Sequence, residues 1–265
     1  MILDGNGLTF SPYFDSRGES GMSGKLRIAE AEDGTKYLVK SAPVDAANEF
    51  VAHRLARLIG VPTSDAVLIK SGSRVSVGIV FEPDFKRVPW NDFLGTVEYK
   101  EDNPILVNGE VYETPLPAVP KYSDDDPLLS EFMAYLAFRD LIVLEDNAQL
   151  AFAEGHLISF DYAESFYLTE YTFNNLLRGS GLSHAVGLFA NHQFLENGYR
   201  DAIQFLHRPN TDFLLDAYLD PVFAFQEADF QPIFDDLDAV FPPLVSAFYA
   251  ACFAFTRKQI EKLGE

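Results

Sequence analysis

Apolar residues first alternate with polar ones in two short runs, Leu26-Arg27-Ile28-Ala29 and Lys36-Tyr37-Leu38-Val39-Lys40, separated by Glu32-Asp33-Gly34. That is the pattern of a β-hairpin closed by an Asp-Gly turn, and it leaves Lys40 at a strand end. From Asp45 the period changes: Ala47, Phe50, Val51, Leu55, Leu58 and Ile59 recur at three and four, which predicts a helix to about Ile59, stopped by Gly60 and Pro62. Ala66-Val67-Leu68-Ile69 and 75–81, joined across Ser71-Gly72-Ser73, read as a second hairpin, interrupted by Glu82-Pro83. Positions 1–20 are turn-rich and predict a loose lead-in. The N-terminal part is therefore expected to be an antiparallel sheet of four or more strands with one helix packed on it.

Prolines crowd positions 86–126, where Asn108-Gly109 between Ile105-Leu106-Val107 and Val111-Tyr112 predicts a short inserted hairpin. The run Ser123-Asp124-Asp125-Asp126-Pro127 caps a helix carried by Leu128, Phe132, Tyr135, Leu136, Leu141 and Ile142. Leu150-Ala151-Phe152, an Ala-Glu-Gly turn and Leu157-Ile158-Ser159-Phe160 predict a strand pair. Beyond Phe166 helical spacing dominates, over 173–177, 183–194, 199–206, 213–217, 230–241 and 243–263. The class is α+β, in three parts: 1–85, a connection over 86–126, and a helical 127–265.

Composition narrows the function. The 265 residues carry 40 acids against 20 Lys and Arg, a formal net charge of −20. Such a surface repels nucleic-acid phosphate and anionic lipid, so neither direct DNA or RNA binding nor a membrane partner is expected. The apolar run 244–255 is too short to cross a bilayer, the N-terminus lacks the features of a signal peptide, and the single cysteine, Cys252, sits in an apolar run as a core residue. A reducing, cytoplasmic setting is expected. The five histidines are scattered and form no zinc-spaced pair.

Three features carry candidate chemistry. Ser20-Gly21-Met22-Ser23-Gly24-Lys25 is a small, glycine-rich loop; backbone N–H groups and hydroxyls in such a loop cradle phosphate, and a plain turn has the same composition. Glu49 lies in the first turn of the predicted helix, where the helix dipole favours a carboxylate. Asp146 and Asp161 stand fifteen apart, the second at a strand exit, where carboxylate oxygens suit magnesium. Taken alone, the two acids fit solvated surface residues equally well.

In chain order these pieces resemble a two-lobed protein kinase-like fold, and more closely the HipA-like Ser/Thr kinases. The matching residues are Ser20 to Lys25, Tyr37-Leu38-Val39-Lys40, Asn48-Glu49-Phe50-Val51-Ala52-His53-Arg54-Leu55-Ala56 with Leu58-Ile59-Gly60-Val61-Pro62, Leu144-Glu145-Asp146, and Ile158-Ser159-Phe160-Asp161-Tyr162-Ala163. The resemblance implies ATP and Mg2+ as cofactors and a Ser or Thr hydroxyl of a protein, the chain itself included, as acceptor. It implies that Ser20, Gly21, Ser23, Gly24, Lys25 and Lys40 hold phosphates, that Phe81 and Glu82 form the hinge that meets adenine, and that Asp161 binds the metal. Asp146 would orient or deprotonate the acceptor, and Glu49 would pair with Lys40. There are two departures. Asp146-Asn147-Ala148-Gln149-Leu150-Ala151 lacks the family's Arg-His pair and puts Ala151 at its metal-binding Asn, leaving Asn147 and Gln149 as substitutes. Only about twenty residues precede Ser20, so the family's N-terminal antitoxin-binding subdomain is not expected. A degenerate kinase acting as a nucleotide-binding or protein-interaction module is the alternative implied.

Overall fold

The computed structural model describes residues 1–12, 26–81, 85–89, 126–145, 149–153, 155–193 and 212–263, with the backbone of 104–107 and 110–113 and the single positions 93, 122, 195 and 198. Its N-terminal part is a six-stranded sheet in the order β1-β5-β6-β4-β3-β2. These strands are β1 (Ile2–Asp4), β2 (Thr9–Phe10), β3 (Arg27–Glu30), β4 (Lys36–Lys40), β5 (Ala66–Ser71) and β6 (Arg74–Val80). Both predicted hairpins form. Gly34 and Gly72 supply the positive φ their turns need, and the Asp33 carboxylate accepts from Thr35 N–H at 2.9 Å.

The expected loose lead-in is corrected. Ile2–Asp4 pairs with β5, parallel in a sheet otherwise antiparallel, and Thr9–Phe10 pairs with β3. Strands of two and three residues are too short to show a period. Their partners lie elsewhere in the chain, so only the assembled sheet reveals them.

Helix α1 (Pro43–Leu58) packs on β5 and β6, burying Phe50, Val51 and Leu55 completely; each contributes about 1.5–3 kcal/mol by transfer from water. Proline at N1 starts it, and Gly60, at φ +79°, follows its end. Because it begins at Pro43, Glu49 lies in the second turn, fully buried. A pairing at the dipole end therefore does not explain Glu49, and the acid in the first turn is Asp45.

Between Phe81 and Lys86 the chain leaves this sheet for a second one, ordered β11-β10-β7 and made of β7 (Lys86–Val88), β10 (Gln149–Ala153) and β11 (His156–Phe160). The predicted inserted hairpin is present as β8 (Pro104–Val107) and β9 (Glu110–Glu113). Helix α2 (Pro127–Ile142) is capped by the Asp126 carboxylate on Leu128 N–H at 3.0 Å and buries Leu129, Phe132, Met133, Tyr135, Phe138 and Ile142, apolar on nearly all sides as suits a central helix.

The remaining helices are α3 (Glu170–Leu177), α4 (Leu182–His192), α5 (Asp212–Glu227), α6 (Gln231–Asp238) and α7 (Pro243–Leu263); α5 packs on α2, and α3, α4, α5 and α6 pack on α7. Helix α5 runs past the predicted stop and through Pro221. The missing N–H costs a helical bond, and burial of Pro221, Val222 and Phe225 offsets it. The predicted helix over 199–206 lies outside the described residues. Cys252 is buried, as expected of a core thiol. No helix among the described residues is long and apolar enough to cross a membrane.

Candidate active site

Lys40, at the end of β4, is the point of convergence. Its Nζ donates to Glu49 Oε1 from α1 and to Asp161 Oδ1, which follows β11 and lies 121 residues away in sequence. The Lys40 side chain is 10% exposed, that of Glu49 not at all and that of Asp161 26%, so the site opens to solvent on the Asp161 side. Burial works against the Lys40 ammonium, but the two carboxylates outweigh it and hold its pKa above the ordinary lysine value. Burial works against the Glu49 carboxylate as well; the Lys40 ammonium, helped by His53, outweighs it and brings the pKa down to about 2. A buried ion pair is a poor stabiliser compared with apolar packing of the same volume, so a triad held this way points to function.

Asp161 adopts a left-handed conformation at φ +70°, with further positive φ at Val143, Phe166 and Tyr167. For a β-branched residue such as Val143 this is strained by roughly 1–3 kcal/mol. The strain sits where the two acid-bearing segments meet. Val143 ends α2 by letting the N–H groups of 143 and 144 close onto Asp140 and Arg139. Glu145 N–H then donates to the Glu164 carbonyl at 3.2 Å and Phe166 N–H to the Ile142 carbonyl at 2.6 Å. The chain entering Asp146 is thereby tied to the chain leaving Asp161.

The neighbouring residue of α1 holds the same segment. Asn48, fully buried, donates from Nδ2 to the Ala163 carbonyl at 2.7 Å and the Ser165 carbonyl at 3.0 Å, and its Oδ1 accepts from Tyr249 of α7 at 2.7 Å. Burial keeps the Tyr249 hydroxyl protonated, its pKa well above the ordinary value, so the donor persists. Asn48 and Glu49 together fix α1 to both the lysine and the Asp161 turn. Asp45, one helical turn before Glu49, is half-buried; burial pushes its pKa up to about 6, against the Lys40 charge and with the nearby Glu49, Asp161 and Glu164 carboxylates.

Of the residues expected from sequence, Lys40, Glu49 and Asp161 are brought together. Arg27, two residues after Lys25, pairs with Val39 of the lysine strand. Phe81 is half-exposed at the end of β6, its N–H on the Lys36 carbonyl at 2.9 Å. Gln149 opens β10 opposite Phe160, the residue before Asp161. Ala151 lies two residues on, opposite Ile158 and fully buried beside Ala153. Ser20, Gly21, Ser23, Gly24, Lys25, Glu82, Asp146 and Asn147 lie outside the described residues.

Sequence reading gave no role to Asn48, His53, Asp45 or Tyr249. The first three were visible as polar residues among the Ala, Val, Phe and Leu of α1, beside Glu49, Arg54 and Arg57; nothing in the chain pointed to Tyr249.

No protein-family model matches the sequence, and no curated protein matches it significantly. Solved structures do. The proinflammatory kinase CtkA of Helicobacter pylori superimposes with a TM-score of 0.57 at 13% identity, covering 99% of each chain. HipA of Shewanella oneidensis MR-1, solved with HipB and operator DNA, gives 0.43 at 12% identity over 97% of this chain and 64% of its own. The amicoumacin kinase hAmiN, solved with AMP-PNP, Ca2+ and Ami, gives 0.31 at 13% over 98% and 90%. The likeness to CtkA runs end to end through both chains, and with it the chain has the two-lobed, kinase-like fold that its resemblance to HipA-like kinases implies.

Proposed function

We propose that this chain is an ATP- and magnesium-dependent phosphotransferase whose acceptor is a Ser or Thr hydroxyl of a protein. The observation that carries the reading is the convergence of Lys40, Glu49 and Asp161 from a strand, a helix and a post-strand turn far apart in sequence. The donors suit a cation that arrives with its nucleotide. Among the described residues no group of three or more ligands is assembled, and magnesium is ordinarily held by one or two carboxylates with the remaining positions taken by phosphate and water. Asp161, part-exposed with one oxygen on Lys40, would hold it, with Gln149, paired with Phe160 just before Asp161, as a second ligand. When bound, the metal neutralises charge on the transferring phosphoryl group.

The chain's own residues supply the rest. Lys40 stays an ammonium and offsets phosphate charge, Glu49 holds it in place, and Ser20, Gly21, Ser23, Gly24 and Lys25 bind the phosphates. Phe81 and Glu82 meet the adenine. Asp146 orients the acceptor hydroxyl, a positioning role worth about 10²–10⁴ in rate. The missing Arg-His pair favours the second reading, a kinase-fold nucleotide-binding or protein-interaction module without transfer.

Thermal unfolding with and without ATP and magnesium tests the site, on the wild type and on Lys40→Ala and Asp161→Asn. At 100 times its dissociation constant a ligand adds about 2.7 kcal/mol, a rise of about 5–10 °C in a chain this long. The rise is expected to require metal and to vanish in both variants. No rise in the wild type would refute the nucleotide site; a rise without phosphate transfer to any protein would select the binding module.

A further inference from the structure

His53 lies one turn beyond Glu49 on the same face of α1, with no exposed surface. Its Nδ1 is 2.9 Å from the Ser64 carbonyl, which can only accept, so that nitrogen carries a hydrogen. The Thr63 hydroxyl, 2.7 Å from the same nitrogen, gives its own hydrogen to the Ser159 carbonyl at 2.9 Å and therefore meets the ring as a second acceptor. On the other side Nε2 lies 3.3 Å from Glu49 Oε2, an ion-pair separation, and neither atom has a hydrogen-bond partner among the described residues. Glu49 is ionised, since Lys40 donates to its other oxygen, and a carboxylate only accepts. Nε2 must then carry a hydrogen too. A ring with a single hydrogen would turn a lone pair toward either a carbonyl or a carboxylate in a fully buried site. The remaining neighbour is the Tyr162 ring, edge-on at 4.8 Å between centroids, whose hydroxyl is engaged with Ser159.

We propose that His53 is a positioning residue with a hydrogen on both ring nitrogens, donating from Nδ1 to the 63–64 connection, which reaches β11, and setting its charge against the second oxygen of Glu49. The result is an alternating row, Asp161 and Glu49 negative, Lys40 and His53 positive. In it the Glu49 carboxylate has a cation against each oxygen and presents Lys40 in one orientation. Thr63 bonds the strand that ends one residue before Asp161, so the same ring registers α1 against the acid on the far side of the lysine. The consequence for nucleotide binding rests on the phosphate-binding reading of Lys40; the assignment of the ring hydrogens does not.

Two measurements on the full chain separate these. Histidine-selective 15N labelling and two-bond proton–nitrogen spectra, with His53 assigned through contacts to Thr63 and Tyr162 protons, are expected to show both nitrogens protonated at neutral pH. A single bare nitrogen would overturn the assignment. Calorimetric titration with magnesium-ATP is expected to show about tenfold weaker binding for His53→Gln and for Glu49→Gln, with the double variant no weaker than Glu49→Gln alone. Independent, multiplying losses would overturn the claim that His53 acts through Glu49. If the wild type binds no magnesium-ATP, the nucleotide reading fails while the spectrum still decides the ring.

Discussion

Asn48→Asp changes one NH2 group for an oxygen of nearly the same size, and it strikes the contact that fixes α1 to the Asp161 turn. In the wild type both Nδ2 hydrogens are used, on the carbonyls of Ala163 and Ser165, and Oδ1 takes the Tyr249 hydroxyl. A carboxylate there would point an anion at two carbonyl oxygens in a fully buried pocket, so the cheaper response is to bind a proton. Holding a carboxyl of ordinary pKa near 3.9 neutral at pH 7 costs about 4 kcal/mol, and the single O–H replaces only one of two donors, leaving a buried carbonyl unmet for about 1–3 kcal/mol more. The variant is therefore expected to lose about 5 kcal/mol or more at pH 7, a fall of at least about 10 °C in Tm.

The sign of the pH dependence is the diagnostic part. The substituted carboxyl has a raised folded-state pKa, so the penalty is small below about pH 4 and grows as pH rises toward that value. Denaturant titrations of wild type and variant at pH 4.5 and 7.5 measure it, each pair compared at the same pH. The deficit is expected to shrink by about 3 kcal/mol or more at the lower pH. Equal deficits at both pH values, or none, would refute the assignment of Nδ2 as a double donor and with it the clamp.

Asp45→Asn is expected to stabilise the protein above pH 6. Burial raises the wild-type carboxyl from 3.8 to about 6, so ionising it weakens the fold progressively across that interval; discounted for its partial exposure the gain is about 1 kcal/mol at pH 8 and nil below pH 4, and a gain that persisted at pH 3.5 would contradict it. Gly78→Ala places a methyl 2.8 Å from Ile69 Cδ1 and 3.1 Å from Tyr37 Cβ in the middle of the first sheet, with an expected loss of about 1–3 kcal/mol by thermal unfolding; an unchanged Tm would show that β4 and β5 yield there.

The sequence by itself determined the local elements and singled out the three charged groups that the fold brings together. The hairpins at Gly34 and Gly72, the helix stopped at Gly60 and the capped α2 follow from period and from turn chemistry acting within a few residues. Lys40, Glu49 and Asp161 were named from motif order. Tertiary structure alone decided what those groups touch. Glu49 could be read as a dipole partner until the start of α1 at Pro43 placed it in the second turn against Lys40. Gln149 was named beside Asn147 as a substitute for the family's Asn, and only the β10–β11 register sets it opposite Phe160 while Ala151 is sealed in the core. The tether from Asn48 to Tyr249 spans 201 residues, and the pairing of Ile2–Asp4 with β5 spans more than sixty. Periodicity reports which face a residue prefers to bury; it carries no information about which distant element completes that face, because the partner is chosen by the packing of the whole chain.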